Sequence, residues 1–225
     1  MNILISAATK AELLPIFNVL KPERFSGGEF DNFSFRNHSI YMRITGIGLV
    51  QTTYLLAKEL NRNKYDLVIN TGIAGSYKKE ISIGQVVMVA EEEFSDFGIV
   101  DENAFTTVFK AGLVNENQLP FRKGKLICEI PEYLKNKNLK PVKAICSDTV
   151  HGRNETIKKL VEQFNPDIET MEGAAFFYVC RMENVPFLQL RAISNFVESR
   201  NREKWNIPLA LLNLQKEVKN ILDEL

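Results

Sequence analysis

The sequence is short of the residues that carry several common kinds of chemistry. Only two histidines, His38 and His151, and three cysteines occur among its 225 residues. So few imidazoles disfavour a Ser-His-Asp hydrolase, and no Cys/His pair stands at a spacing typical of metal ligands. A GxSxG nucleophile elbow and a P-loop are also missing. No metal and no other cofactor is therefore expected.

The chain also lacks a charge imbalance and a long apolar run. Lys+Arg and Asp+Glu each total 28, and no basic stripe indicates nucleic-acid binding. No apolar run approaches the roughly 18 residues of a membrane span, and Met1-Asn2 leads into a strand-like run without a basic leader. The cysteines lie far apart in apolar surroundings, which indicates buried thiols in a reducing compartment. We expect the cytoplasm, and neither nucleic acid nor membrane as a partner.

Apolar strand-like runs alternate with amphipathic helix-like stretches along most of the chain. An early hairpin is expected to turn at Asn37-His38, residues 99–139 show no clear periodicity, and 135–140 resemble a linker. This alternation predicts one α/β domain over 1–225, with three layers and a mixed, mainly parallel central sheet flanked by helices. The expected strands are 2–7, 33–35, 40–44, 66–70, 83–90, 141–147, 167–171 and 185–193, and the expected helices are 9–20, 49–61, 154–164, 173–182 and 207–225.

Two polar side chains stand where apolar segments stop. Glu172 lies between the strand at 167–171 and the helix at 173–182, and Asn195 follows the strand at 185–193. Ligands of parallel sheets sit beyond the carboxyl ends of the strands, so both side chains are expected over one sheet edge. An acid suits a pair of sugar hydroxyls, and an amide suits the polar edge of a base. The alternatives are a plain loop acid and a plain turn residue.

Glu12 allows two interpretations. Thr9-x-x-Glu12 has the spacing of a capping box, which would make the carboxylate a helix cap. The same residue lies just past the first strand, on the rim expected for Glu172 and Asn195.

Two further segments near strand ends resemble a dinucleotide-binding loop and an acidic metal site, but each match is incomplete. Gly46-x-Gly48 precedes a helix, but Gln51 stands at the third glycine position of a dinucleotide fingerprint. A loop that brings the backbone close to a small ligand is favoured instead, and 71–76 is expected to form a second such loop. The acids in 91–98 are expected to form a solvated loop rather than a metal site.

Several of these segments together resemble one protein family. Residues 171–175 (MEGAA) and 185–195 (VPFLQLRAISN) are similar to the signature of the nucleoside phosphorylase/nucleosidase superfamily, and 70–75 (NTGIAG), 46–48 (GIG) and Glu12 match its other blocks in order. The resemblance covers nearly the whole chain and implies a nucleoside phosphorylase-like fold.

One position narrows the resemblance within the superfamily. Methylthioadenosine/adenosylhomocysteine nucleosidases usually end the RAIS run in Asp, whereas this chain has Asn195. That residue and the tail at 197–210 resemble the futalosine hydrolase family of the alternative menaquinone route. The resemblance implies hydrolysis of a 6-oxopurine nucleoside, with futalosine giving hypoxanthine and dehypoxanthine futalosine.

The resemblance also implies roles for individual residues. Glu12 would act as general base on water, Glu172 would bind the ribose hydroxyls, and Asn195 would stabilise the leaving base. Met171 would pack beneath the ribose, which is compatible with ordinary core packing. The other implied substrate-binding positions are Ile47, Ala74, Gly75, Val150, His151 and Arg191, with Phe97 as a weaker candidate. Ile73 stands where adenosine-type nucleosidases have a serine, so the placement of water differs.

The amide of Asn195 favours one class of base. Its NH₂ carries two donors, and a 6-oxopurine offers two acceptors, N7 and O6. Adenine offers one acceptor and one donor and leaves better when N7 is protonated, which a neutral Asp can do and Asn cannot. An Asn can still pair one donor and one acceptor with adenine, so the preference is not absolute.

Other functions stay open at this point. A phosphorylase would need an anion site near the glycine loops, where Lys10 and Arg43 are the evident cations. A methylthioadenosine/adenosylhomocysteine nucleosidase and a catalytically silent nucleoside sensor are further alternatives. Arg200, Arg202 and Lys204 either belong to a solvated loop, or one of them binds the benzoate carboxylate of futalosine. The resemblance also implies a homodimer or larger homo-oligomer.

Overall fold

The computed structural model describes residues 1–20, 32–102, 104–131, 134 and 139–225. The five α-helices within these residues match the predicted ones closely, because each shows a clear apolar stripe at helical spacing. The helices are α1 (Lys10–Leu20), α2 (Leu49–Arg62), α3 (Asn154–Phe164), α4 (Gly173–Met182) and α5 (Ile207–Asp223), with a 3₁₀ turn at Arg202–Lys204. The strands are β1 (Asn2–Ala7), β2 (Phe33–Phe35), β3 (His38–Ile44), β4 (Leu67–Ser76), β5 (Val86–Phe94), β6 (Gly98–Asp101), β7 (Ala104–Thr107), β8 (Leu126–Ile127), β9 (Lys140–Cys146), β10 (Ile168–Thr170) and β11 (Phe187–Phe196).

Nine of the described strands form one mixed sheet in the order β10-β9-β5-β11-β4-β1-β3-β2, with β8 paired to β5. Parallel pairing joins β3 to β1, β1 to β4 and β4 to β11, and it also joins β5 to β9 and β9 to β10. Strand β10 also pairs antiparallel with the far end of β4, which closes a ring of strands around that end. The predicted mixed, mainly parallel sheet is confirmed.

Helices cover both faces of the sheet, as the three-layer prediction requires. Successive residues of β1 alternate between the layers: Ile3 and Ile5 belong to the cluster that includes residues of α1 and α5, and Leu4 belongs to the cluster that includes residues of α2 and α4. All three are fully buried. Burying such a side chain contributes roughly 1.5–3 kcal/mol, so the two clusters hold the layers together.

Two strands extend further than the apolar pattern indicated. The expected glycine loop at 71–76 is the second half of β4, and β11 continues through Asn195 to Phe196 with a bulge between Ile193 and Asn195. The two extensions pair with each other, from Gly72 with Arg191 to Ser76 with Phe196, and β10 adds a second partner at Gly75 and Ser76, so the backbone groups of both extensions are bonded. Asn195 is therefore a strand residue and not a turn residue.

Two other local predictions were wrong. The hairpin turns at Arg36-Asn37, and His38 begins β3 as a buried residue. The acidic run at 91–98 is not a solvated loop as a whole, because β5 extends to Phe94 and Glu92 is fully buried.

The region without clear periodicity contains short strands. Strands β6 (Gly98–Asp101) and β7 (Ala104–Thr107) pair antiparallel, and β8 lies at Leu126–Ile127. Of the predicted linker at 135–140, residues 135–138 lie outside the described residues, and Lys140 begins β9.

Cys128, Cys146 and Cys180 are buried free thiols, as predicted. Across the described ranges, no helix has both the length and the apolar character needed to cross a bilayer.

Candidate active site

A cavity of about 860 Å³ opens at the end of the sheet where β4, β10 and β11 meet. Its volume falls in the range of small-molecule sites. Nine of the ten residues predicted to act in catalysis or binding line it. They are Glu12, Ile47, Ala74, Gly75, Val150, His151, Met171, Glu172 and Asn195.

Glu172 projects into the cavity from the start of α4. Its Oε1 accepts a hydrogen bond of 3.0 Å from the backbone N–H of Gly48, which precedes α2. Burial raises the pKa of Glu172, while Arg191 and the N–H of Gly48 oppose that rise. Because the N-terminus of a helix carries a partial positive charge, α2 stabilises the carboxylate in a partly dry place.

The loop before α2 therefore binds side chains of this chain. The N–H of Leu49 donates to Asp148 Oδ1 at 2.6 Å, next to the bond between Gly48 and Glu172. Gly48 has φ +86°, a conformation that favours glycine. Two N–H groups with which this loop could bind an anion are thus already bonded to carboxylates of the chain.

Glu12 caps α1 and also borders the cavity, so its position is compatible with both interpretations. Its Oε2 accepts from the backbone N–H and the hydroxyl of Thr9, at 3.0 and 2.8 Å, and its backbone N–H donates to Thr9 Oγ1 at 3.4 Å, which completes the capping box. Its Oε1 accepts from the backbone N–H of Ile73 at 3.2 Å, beside the cavity. One carboxylate oxygen thus anchors the helix while the other is held at the cavity wall.

Arg191, predicted to bind substrate, lies behind the wall and is 1% exposed. Its Nη2 donates to Asn70 Oδ1 at 2.5 Å and its Nη1 to the carbonyl of Leu190 at 3.0 Å. A Cβ built on Gly72 would lie 3.4 Å from Arg191 Nη1 and 3.0 Å from Glu12 Oε1, so cation and carboxylate are close neighbours. The structure therefore gives Arg191 a positioning role. Phe97 likewise does not line the described part of the cavity.

Asn195 presents its amide to the cavity in a defined orientation. Its Oδ1 accepts from Ser194 Oγ at 2.7 Å, and its Nδ2 donates to the carbonyl of Phe196 at 3.0 Å. The carbonyl of Phe196 can only accept, so it identifies the amide nitrogen, and the second N–H of that nitrogen has no partner among the described residues. Asn195 is thus set up as a donor toward a ligand.

Glu169 is a cavity residue that the sequence pattern did not reveal. It stands in β10, and its carboxylate contacts the backbone N–H and ring of His151 and the hydroxyl of Tyr77. The signal available in the sequence was an acid inside the strand predicted at 167–171. The structure shows that every residue of β10 is buried.

Glu92 is the second acid that was missed, and it lies beneath the site. Its Oε1 accepts from Gln189 Nε2 at 2.7 Å and Thr170 Oγ1 at 3.1 Å. Glu92 Oε2 and Gln189 Oε1 have no hydrogen-bond partner in the described part of the chain. Burial raises the pKa of Glu92 to about 7. A neutral acid avoids the cost of burying an ion that has an oxygen without a hydrogen-bond partner.

Comparison with known proteins places this arrangement in a family. The profile described as the phosphorylase superfamily matches residues 3–223. The chain belongs to the phosphorylase superfamily.

Relatives of this superfamily member are nucleosidases. A futalosine hydrolase of Thermus thermophilus is 31% identical over 184 residues, 80% of each chain. A 5′-methylthioadenosine/S-adenosylhomocysteine nucleosidase of Buchnera aphidicola is 27% identical over 217 residues, 93% of this chain and 90% of that one. The predicted enzyme class, N-glycosyl hydrolase, is confirmed.

A solved structure shares the fold of the nucleosidase over its whole length. The structure of a futalosine hydrolase mutant of Helicobacter pylori superimposes with a TM-score of 0.79 at 22% identity, covering 100% of both chains. The nucleoside phosphorylase-like fold expected from the sequence is confirmed.

The buried acid beneath the site generates a prediction about stability. The pKa of Glu92 is about 7 in the folded nucleosidase against an ordinary value of 4.5, so between these values the folded chain holds a proton that the unfolded chain releases. The contribution of protonated Glu92 to the free energy of unfolding is fully present below pH 4.5 and is lost as the pH rises through 7. The free energy of unfolding falls by at most about 1.4 kcal/mol per pH unit in that window. Glu92→Gln resembles the neutral acid and should remove this dependence.

The measurement is urea unfolding of the wild type and Glu92→Gln at several pH values between 4.5 and 7. Glu162→Gln, on the exposed side of α3, is the matched control and should keep the wild-type slope. Equal pH slopes for the wild type and Glu92→Gln would contradict the assignment.

Proposed function

We propose that this nucleosidase hydrolyses the N-glycosidic bond of a 6-oxopurine nucleoside, most specifically futalosine, to give hypoxanthine and dehypoxanthine futalosine on a route to menaquinone. The observation that carries the proposal is one cavity that holds Glu12, Glu172 and the amide of Asn195 together. The relative from Thermus thermophilus, named a futalosine hydrolase, supports the choice of substrate.

Bond cleavage places charge at both ends of the glycosidic bond. Positive charge develops on the ribose and negative charge on the base, and an enzyme gains rate from contacts that strengthen as those charges appear. Glu172 accepts hydrogen bonds from the 2′- and 3′-hydroxyls and orients the ribose. Met171, beside it on the cavity wall, packs beneath the sugar ring.

Glu12 is the proposed general base. It takes a proton from water, the oxygen adds to C1′ of the ribose, and the electron pair of the broken bond leaves with the base. Thr9 and the N–H of Ile73 hold the carboxylate through hydrogen bonds. Because the donor at position 73 is backbone, the absence of a serine side chain there does not release Glu12.

Asn195 stabilises the leaving base. The hydroxyl of Ser194 occupies the amide oxygen, so the NH₂ group is the part left for the ligand. N7 and O6 of a 6-oxopurine are both acceptors, and the free N–H binds one of them directly. Use of both donors requires that the bond to the carbonyl of Phe196 opens on binding.

Hydrolysis is favoured over phosphorolysis by the occupancy of the α2 N-terminus. Helix N-termini are ready anion sites, but here Glu172 and Asp148 accept from the N–H groups of Gly48 and Leu49. A phosphate would meet two carboxylates in that place. Arg43, one of the candidate phosphate cations, pairs with Glu59 at 3.0 Å.

A methylthioadenosine/adenosylhomocysteine nucleosidase is the second candidate. The observation in its favour is the relative from Buchnera aphidicola, which bears that name and aligns with 93% of this chain.

The cavity rim offers a cation for the benzoate carboxylate of futalosine. Arg200 and Lys204 line the cavity, whereas Arg202 does not line its described wall. Lys204 pairs with Glu198 at 2.7 Å, which reduces its availability. We therefore propose Arg200 as the carboxylate reader, since a guanidinium binds a carboxylate through two parallel N–H groups.

The oligomeric state and the cellular compartment of the protein stay predictions. Helix α2 exposes Val50 and Tyr54, and Ile47 precedes it at 54% exposure, so a second copy of the chain would have an apolar face to cover. The cytoplasm stays the expected compartment.

The first test is product analysis with futalosine, inosine and methylthioadenosine, each with and without inorganic phosphate. We expect hypoxanthine from futalosine at a rate independent of phosphate. Glu12→Gln should lower kcat on the order of 10²-fold or more while substrate still binds. Strict phosphate dependence, or adenine release from methylthioadenosine as the dominant activity, would overturn the proposal, and wild-type kcat in Glu12→Gln would remove its role as base.

The second test changes the base-binding amide. Asn195→Asp should shift the ratio of kcat/KM from futalosine toward its 6-amino counterpart, because a neutral Asp can protonate N7 of adenine. The measurement is kcat/KM for both nucleosides in the wild type and the variant. If their ratio stays the same, Asn195 does not read the base.

The third test compares two arginines of one loop. Arg200→Gln should raise KM for futalosine about 10-fold or more through loss of a charge-assisted bond, with little change in KM for inosine, which has no carboxylate. Arg202→Gln is the matched control and should leave both constants near wild type. An unchanged KM for futalosine in Arg200→Gln would reject Arg200 as the carboxylate reader.

A further inference from the structure

Glu169 is a nearly buried carboxylate that faces the cavity and has no part in the mechanism above. Its side chain is 10% exposed, and it lines the cavity together with His151 and Asn195. An acid with so little access to water needs hydrogen-bond donors, and a donor on a ligand is as good as one from the protein.

Three protein groups hold the carboxylate in place. Oε1 accepts from the backbone N–H of His151 at 3.3 Å, and Oε2 lies 2.9 Å from the hydroxyl of Tyr77 and 3.0 Å from His151 Nδ1. Burial and the neighbouring Glu169 raise the pKa of Tyr77, so the phenol keeps its proton and donates. A carboxylate accepts at about four positions, which leaves room for a further donor from the cavity.

Glu169 also lies next to the amide that is proposed to bind the base. Glu169 and Asn195 belong to the two strands on either side of β4, and both pair with Gly75. A Cβ on Gly75 would lie 3.3 Å from Asn195 Nδ2 and 3.5 Å from Glu169 Cγ. The missing side chain lets a carboxamide and a carboxylate face the cavity side by side.

Resting on the proposed function, we propose that Glu169 is a specificity-determining residue that accepts a hydrogen bond from N1–H of a 6-oxopurine base. Along the edge of a purine the order is N7, the substituent on C6, then N1. Asn195 as donor suits the first two positions, and the neighbouring Glu169 as acceptor suits the third. Only a 6-oxopurine carries a hydrogen at N1, whereas adenine would direct a lone pair at the carboxylate.

A purely structural role for Glu169 predicts a different result. In that case the carboxylate only ties the loop at His151 to Tyr77, and its loss would lower stability without altering the choice of base. The two roles separate when binding of free bases is measured, because that measurement does not depend on cleavage.

The experiment is isothermal titration calorimetry of the nucleosidase with hypoxanthine, 1-methylhypoxanthine and adenine. Wild type should bind hypoxanthine about 10- to 100-fold more tightly than 1-methylhypoxanthine, the range expected for a hydrogen bond to a charged group. Glu169→Gln should lose most of that difference, and its affinity for adenine should hold or rise because the new NH₂ can donate to N1. Glu162→Gln, the exposed Glu-to-Gln control, should match wild type.

Equal wild-type affinities for the two hypoxanthines, or no binding of hypoxanthine, would overturn the proposal. So would a preference that survives intact in Glu169→Gln. If that variant fails to fold, Tyr77→Phe takes its place, because it removes one hydrogen bond to the carboxylate and leaves the carboxylate itself. Tyr77→Phe should keep the preference for hypoxanthine over 1-methylhypoxanthine. Loss of that preference in Tyr77→Phe would favour the structural role and contradict the proposal. A wild type that selects hypoxanthine but releases no base from futalosine would remove the proposed function and leave this inference standing.

Discussion

The candidate active site depends on controlling the protonation of several carboxylates, Glu12, Glu92 and Glu172, that are largely removed from water. Arg191 is the buried cation that opposes the rise in the pKa of Glu172 and of Glu92, and it lies beside Glu12. Its side chain is held by Asn70 and a strand carbonyl. Loss of one partner from such a group leaves an uncompensated buried charge, which typically costs 3–5 kcal/mol. The guanidinium is therefore needed for the fold as well as for the site.

This electrostatic requirement explains why polar residues occur inside strands that otherwise read as core. Asn70, Gln189 and Arg191 are all buried within β4 or β11, where an aliphatic side chain would pack with less desolvation cost. Each one contacts another member of the carboxylate network. These core positions of the central strands therefore hold residues that orient the charged groups of the site. The apolar clusters on both faces of the sheet supply the stability.

The helices and the main site residues were predictable from sequence because both leave local signals. Apolar spacing marked the helices, and the residues at the ends of apolar runs pointed to Glu172 and Asn195. The length of β4 and β11 was not predictable, since it depends on the pairing of these two strands, which lie far apart in the chain, and on the pairing of β10 with the end of β4. Glu92 and Glu169 were missed for a related reason. Whether an acid is buried depends on the elements packed around it, and a run of acids reads as a surface loop.

Occupation of the α2 N-terminus links fold to reaction type. An unoccupied helix N-terminus beside a ribose site attracts an anion, and an anionic nucleophile would give phosphorolysis. In this chain Glu172 and Asp148 accept from Gly48 and Leu49 and provide the negative charge themselves. The same contacts hold Glu172 in place for its proposed role at the ribose hydroxyls, so one arrangement would both orient the sugar and disfavour phosphate. Water, which carries no charge to repel, is then the nucleophile that the site accepts most readily, provided that Glu12 removes its proton.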